Sequence, residues 1–545
     1  MPDFISIDQN TNTLWDTVPK LVAMVGKGYA VEHFLEDVDM AFTRHGAVPG
    51  DSALEVVRER YYRGGTSDWG AALFYSDFLG RLPLDVRRLE PYMGWTTAAL
   101  SRRLDCSVDD LYDRYSPSDN WQLVGASYAG DDRHHRVIGD VTADVAGEHI
   151  LHLLDHARDN LLRSFPEPSS QYRVEQWFSR ERSLVANILA ACEGKSLPEV
   201  YRRWVSAKLP EKGLSCALTS ELFAPAALSA NAADLLNLFV RDHAAAAALY
   251  NQAIEETGVG LTPLSVKRGE LPFFLVVRRQ GMLVRTAACL EGSVLVGGDL
   301  RWQVRGGKLP LARMAADGVV SVVGKALLLV LQVRLKPDGC PLALPYQGSL
   351  YMPAAYAFEK KLRDSGILTV EAHPVARVRF RFFESWRNCQ TLIRPPTHLR
   401  HALGVDELPA RELADVITEA QEKAEDSLRR LGNDDTRDAA LAQIFPKLWR
   451  TREQLDGQRR ELARAPETRP AAKEIWDQIK TLDRELLENH LGLVLGSLQI
   501  QDLHYYDSRG ALEPWCVALG GDELYRSLLA GVQIEAETDD GFQKG

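Results

Sequence analysis

Residues 340–362 read CPLALPYQGSLYMPAAYAFEKKL, and this stretch decides the fold class. An apolar run ends in a tight Gln347-Gly348-Ser349 turn, and a helix-compatible segment starts at once. A strand that feeds a helix through a glycine turn gathers backbone N–H groups at one spot. In open α/β sheets, that carboxyl end of a strand is where ligands bind. Ser349 is placed to cap the helix, and Pro353 falls in its first turn, where a missing N–H is harmless. The N–H groups near Gly348, Ser349 and Leu350 are candidates to hold a carboxylate or phosphate, with Tyr346, Gln347 and Tyr351 lining the pocket. The plain alternative is a strand-to-helix connection with nothing bound, because the signal is a geometry and not a motif.

Around this unit, helices and short strands alternate. Residues 271–288 read as a hairpin turning at Gln280-Gly281, and 295–304 add a strand. Residues 121–142 read as another hairpin, with Gly130-Asp131 as its turn. Residues 148–162 and 174–192 are helical by period, and 231–257 is an alanine-rich helix with Asn231 as its cap. The alternation indicates an α/β core with hairpin insertions over 121–405. Residues 1–120 look helical. Beyond 405, apolar positions step by fours and threes through Leu413, Ile417, Leu441, Leu448, Leu455, Ile475, Ile479 and Leu486. Breaks fall at 432–435 and at Pro466 and Pro470. The pattern predicts an antiparallel coiled coil of three long helices over 406–498, a unit suited to scaffolding or homodimerisation. Residues 499–545 are expected to return to the core.

A chain of 545 residues is too long for one ordinary core. Its net charge of −11 argues against nucleic acid as a partner. The seven cysteines are scattered without CxxC spacing, which points to a reducing, cytoplasmic setting and away from a cysteine-rich zinc site. The first residues have neither a basic nor an apolar signal region, and the longest apolar run, 326–333, is too short to span a bilayer.

Other constellations carry weaker signals. Arg63-Gly64-Gly65-Thr66-Ser67 is a glycine-rich turn, read as opening a helix over 68–79, with Thr66 or Ser67 as cap and Arg63 beside an anion-friendly helix start. It is neither a Walker A motif nor GxGxxG. His149, His152 and His156 share one helix face but lack a cysteine or carboxylate partner, so no metal site is assigned. Residues 96–111 have helix-turn-helix spacing, but Asp109, Asp110 and Asp113 would repel phosphates. Arg377, Arg379 and Arg381 alternate with Val378, Phe380 and Phe382 on a strand with one basic face, which meets either an anionic substrate or solvent.

The middle of the chain resembles the bacillithiol-biosynthesis cysteine-adding enzymes (BshC-type). The likeness rests on the order of features. These are the segment 121–162, SLPEVYRRWVSAKLPEKGLSCALTS at 196–220, LPFFLVVRRQGMLVR at 271–285, the run 324–367, and the leucine-rich unit at 410–498. The resemblance implies a Rossmann-like core related to class I aminoacyl-tRNA synthetases, with a C-terminal coiled-coil dimerisation arm. It also implies attachment of cysteine to an amino-sugar malate conjugate. The chain departs from the family where Gly348-Ser349-Leu350-Tyr351 replaces a Gly-Pro-Gly-Glu turn, and the family's early His-Gln and Glu-Asp-His-Asp motifs have no match.

Two readings follow. One is a BshC-like ligase joining an amino acid to an amine acceptor of a small metabolite. Its anionic ligands would be held at 63–67 and 346–351 and by Arg379, with a nucleotide such as ATP or ADP as the cofactor class considered. The other is a non-catalytic dimeric scaffold or ligand-binding protein of the same fold. No general base is identifiable.

Overall fold

The structure is a computed structural model. It describes residues 2–8, 17–42, 55–57, 67–79, 86–108, 110–111, 121–129, 135–209, 213–336, 339–349, 351–506 and 511–537.

The main sheet has six strands: β1 (Phe4–Ile7), β2 (Val31–Leu35), β3 (Leu214–Leu218), β4 (Leu342–Pro345), β5 (Val375–Arg379) and β6 (Gln533–Ala536). Their spatial order is β6-β5-β4-β1-β2-β3. The first five run parallel, and β6 closes one edge antiparallel to β5. Across the sheet the parallel strands therefore take the order 3-2-1-4-5, and the direction of winding reverses between β1 and β4.

Both faces of this sheet are covered, as parallel strands require. Ile5, Ile7, Phe34, Leu342 and Leu344 point into one core, shared with α2 (Ala230–Arg241), α3 (Leu327–Arg334) and α4 (Met352–Asp364). Val31, Leu35, Ala343 and Val378 point into the other, shared with α1 (Val18–Gly26) and the helices Pro168–Ala191 and Leu197–Lys208. In α4, Ala355, Phe358 and Leu362 recur at helical spacing and are buried. Pro353 sits in its first turn, but its N-cap residue is Tyr351 and no side chain caps it, so Ser349 is not the cap.

A second, antiparallel sheet is built on the hairpin Glu270–Arg279 and Met282–Glu291. Gln280 and Gly281 both have positive φ (48° and 85°), the geometry of a tight two-residue hairpin turn. The strand expected over 295–304 is itself a hairpin, Val294–Gly297 with Leu300–Gln303.

Several expectations are corrected. Residues 1–120 are not simply helical, since they supply β1, β2 and the strands Met40–Phe42, Glu55–Val57 and Ser67–Ser76. The helix expected over 68–79 is largely replaced by that last strand. Its partner is Trp121–Ala129, which also pairs with Glu55–Val57. Consequently 121–142 is not one hairpin: His135–Val137 pairs instead with the second sheet. The cap of α2 is Ser229, whose Oγ accepts the Ala232 N–H, not Asn231. The alanine-rich helix breaks at Asp242, which caps its second half, His243–Thr257.

The helical arm comprises α5 (Ala410–Gly432), α6 (Asp434–Ile444), α7 (Pro446–Leu462) and α8 (Arg469–Tyr506). Four helices stand where three were expected, because Pro446 starts a new one, while Pro470 lies inside the first turn of α8. The apolar seam closes within the chain: α5 and α7 both pack on α8. Leu428, Leu431, Leu491 and Val494 bury Leu100, Leu104 and Leu111. The segment 96–111 is thus a packing element against the arm. Past the arm, α9 (Leu512–Ala530) lies in the same core as α1, with Trp515 stacked on Trp386. Among the described residues, no helix is long and apolar enough to cross a membrane.

Candidate functional site

The order reversal between β1 and β4 puts the carboxyl ends of these two strands side by side, and ligands of open α/β sheets sit at such a crevice. On the β4 side the chain turns sharply. The Gly348 N–H bonds to Pro345 O at 2.9 Å, and Ser349 takes a left-handed φ of 53°. That backbone region is uncommon for a residue with a Cβ. The Gly348 N–H closes the turn, so it does not serve an anion as the sequence suggested.

The three alternating arginines of β5 and its end have three different fates. Arg377 is buried. Its Nη1 donates to Pro345 O (3.1 Å) and Gly348 O (2.6 Å), and its Nε and Nη2 donate to the Glu537 carboxylate (2.9 and 3.0 Å). It locks the turn to the chain's C-terminal segment. Arg381 donates to Gln533 and Glu384 at the surface. Arg379 lies over the Tyr346 ring, 4.2 Å from its centroid. Among the described residues it pairs with no carboxylate, and its buried Nε has no hydrogen-bond partner. A cation held by a ring and left without an acid is chemically suited to an incoming anion.

On the β1 side the edge is acidic. Asp8, just past β1, accepts from the Thr17 hydroxyl and stands 3.3 Å from His33 Nε2; His33 Nδ1 is 3.0 Å from Ser6 Oγ. Burial alone raises the Asp8 carboxyl. The charge and hydrogen bond of His33, the Thr17 hydroxyl and Lys20 outweigh it and hold Asp8 below the usual range. After β2, Glu36 accepts from the Val38 and Asp39 N–H groups. Burial and the neighbouring Asp39 and Asp37 push Glu36 well above its usual range. Asp37 accepts from both the N–H and the hydroxyl of Ser220, at the start of the short helix after β3. Burial raises its carboxyl to about 6 against those bonds, with Glu221 adding to the rise.

These shifts set a pH dependence. Between about pH 4 and pH 6 the folded chain keeps the Asp37 proton while the unfolded chain has released it, so this group makes stability fall as pH rises through that window. Glu36, also raised, adds the same sign. Asp8 works oppositely: its contribution is complete above its ordinary 3.8 and is lost as pH falls below it. Asp37→Asn keeps an acceptor for the Ser220 N–H and removes the ionisation. It is expected to reduce the downward slope between about pH 4 and 6 and to gain up to ~3 kcal/mol at neutral pH. Urea denaturation across pH measures this; an unchanged slope would contradict the assignment.

Of the residues singled out from sequence, Tyr346, Gln347, Gly348, Ser349, Tyr351 and Arg379 come together at the β4–β5 end. Arg63, Gly64, Gly65 and Thr66 lie outside the described residues, and Ser67 begins a strand. Within the histidine row, His156 does not point away from its surroundings: it meets the Tyr75 ring edge-on at 5.8 Å and lies 3.2 Å from Asn160 Nδ2. Among the described residues no group of three or more His, Cys, Asp or Glu side chains is placed to hold a metal. Sequence reading missed Asp8, His33 and Asp37. The signal available was the acidic run Glu36-Asp37-Val38-Asp39 directly after the segment Val31–Leu35. No known protein-family model matches the chain, and no curated protein matches its sequence.

Proposed function

We propose that the chain is a BshC-like ligase with a Rossmann-like core of the kind found in class I aminoacyl-tRNA synthetases. It joins an amino acid, cysteine being the one the resemblance suggests, to an amine acceptor of a small metabolite. The observation that carries this reading is an arginine at the β4–β5 end that pairs with no carboxylate among the described residues, close in the fold to the N-terminus of α4, with an acidic edge on the far side of the β1–β4 reversal. A ligand anion sits on Arg379 and the first turn of α4, and an amine is favoured toward the Asp8–Glu36 side. A nucleotide such as ATP or ADP fits the cationic side through its phosphates, and ATP supplies the carboxyl activation that amide formation requires. Arg377 keeps the turn rigid by holding the carbonyls of Pro345 and Gly348.

One observation favours the non-catalytic alternative. Tyr351 occupies the slot of the family's acid, and the acidic side chains nearby are engaged by backbone and hydroxyl donors. A thermal-shift screen against ATP, ADP, amino acids and amino-sugar conjugates tests binding, and product analysis with the binding set tests turnover. A ligand specific to the folded state raises the melting temperature. Arg379→Ala is expected to abolish the shift for anionic ligands; a shift that survives would place them elsewhere. Binding without product would favour the alternative.

Homodimerisation through the C-terminal helices is part of the proposal. The seam of the arm is closed internally, which leaves exposed apolar residues such as Ile444 and Trp476 as the contact. Light scattering on the full chain is expected to give twice the monomer mass. The full chain is used because α9 and β6, beyond the arm, build the core.

A further inference from the structure

We infer a second ligand site on the flank of the main sheet, away from the β1–β4 reversal, that takes a free α-amino acid with an apolar side chain. A cavity of about 420 Å³ lies over β2 and β3, where Ala232 of α2 and Gln332 of α3 also line it. This is the size of a small-molecule site. Phe34, Ala217, Leu222, Phe223 and Leu228 form apolar walls. The space exists because β3 is an edge strand and the residues facing it, such as Ala227 and Ala232, are small.

One charged pair lines this cavity. Lys336 Nζ lies 2.6 Å from Glu32 Oε2 and 5.6 Å from the centroid of the Phe34 ring. The two side chains are 31% and 24% exposed, so water reaches the pair and it holds itself together weakly. An ammonium and a carboxylate side by side match a ligand carrying the opposite two charges on one carbon. The ligand carboxylate takes Lys336, the ligand ammonium takes Glu32, and the ligand side chain lies against Phe34 and Leu228. Single-charge ligands fit less well. A simple acid gains Lys336 but meets Glu32 and, on the rim, Glu221. A simple amine gains Glu32 but meets Lys336.

This site lies across β1 from the Gly348 turn and does not depend on the ligase reading. Calorimetry on the full chain with L-leucine, 4-methylpentanoate and 3-methylbutylamine tests it. L-Leucine is expected to bind, each single-charge analogue about tenfold more weakly. Lys336→Met is expected to weaken L-leucine by about tenfold. Ala227→Trp, at an exposed rim position that leaves the core intact, narrows the mouth and has the same expected effect should Lys336→Met fold poorly. Arg379→Ala leaves L-leucine binding unchanged. Absence of L-leucine binding, equal binding of an analogue, or indifference to both cavity variants would overturn the site. Loss of L-leucine binding in Arg379→Ala alone would also overturn it, by moving the amino acid to the turn and leaving the ligase reading standing.

Discussion

Arg377→Ala is expected to destabilise the protein by about 3–5 kcal/mol, whereas Arg379→Ala, two residues along the same strand, is expected to cost less than about 1 kcal/mol. The guanidinium of Arg377 is almost wholly buried against a Glu537 carboxylate that is only 2% exposed. Removing it leaves that carboxylate without its cation in a low-dielectric site and releases the carbonyls of Pro345 and Gly348. The Arg379 guanidinium lies over the Tyr346 ring and pairs with no carboxylate among the described residues. Chemical denaturation of both variants measures the contrast. Equal losses would mean that the two side chains share one structural role, and Arg379 would no longer be a ligand residue. A double variant, Arg377→Met with Glu537→Leu, is expected to recover much of the loss, since it removes both charges together.

Trp515→Ala is expected to cost about 3–5 kcal/mol or more. The indole is fully buried. It stacks on Trp386 with centroids 5.9 Å apart and planes within 9°, and meets Phe165 at 4.9 Å and Phe78 at 5.5 Å. Its Nε1 donates to Asp77 Oδ1 at 2.6 Å. The substitution therefore opens a cavity among aromatic rings and deprives a buried carboxylate of a donor. Because α9 carries Trp515, the residues beyond the arm act as a wedge between the end of the strand Ser67–Ser76 and the helix Phe382–Trp386. Trp515→Phe, which keeps part of the ring packing and loses the donor, is expected to fall between wild type and alanine. A melting temperature unchanged by Trp515→Ala would contradict this placement of α9.

The part of the fold legible in the sequence was local. The strand, turn and helix at 342–364 show themselves because each apolar residue, the glycine and the proline act within one short segment. The same holds for the Gln280-Gly281 hairpin. Pairing between distant segments was not legible. The strand Ser67–Ser76 follows a turn-like Gly-Gly-Thr-Ser run and reads as a capped helix until its partner, Trp121–Ala129, is known. In the arm, the stepping of Leu413, Ile417 and Ala424 correctly marks a buried face, but a heptad does not say what covers it. Here α5 packs on α8, while Leu413 and Ile417 enter the core that holds Trp386. The arginine row shows the same limit: alternation assigns Arg377 and Arg379 to one face, and only a glutamate 160 positions away separates their roles. At the acidic edge, Asp8 just past β1 and His33 on β2 are brought together by the register of the two strands, which one strand's sequence does not reveal.

In the proposed function, the carboxyl ends of β4 and β1, with Arg379 of β5 as the cation, take an anionic small molecule. The most direct measurement is equilibrium binding of ATP and ADP to the full chain, wild type and Arg379→Ala, by calorimetry. Saturable binding of at least one nucleotide to wild type is expected, weakened by about tenfold or more in Arg379→Ala, with both proteins melting at nearly the same temperature. Nucleotide binding that is indifferent to Arg379, or none to either protein, would contradict it.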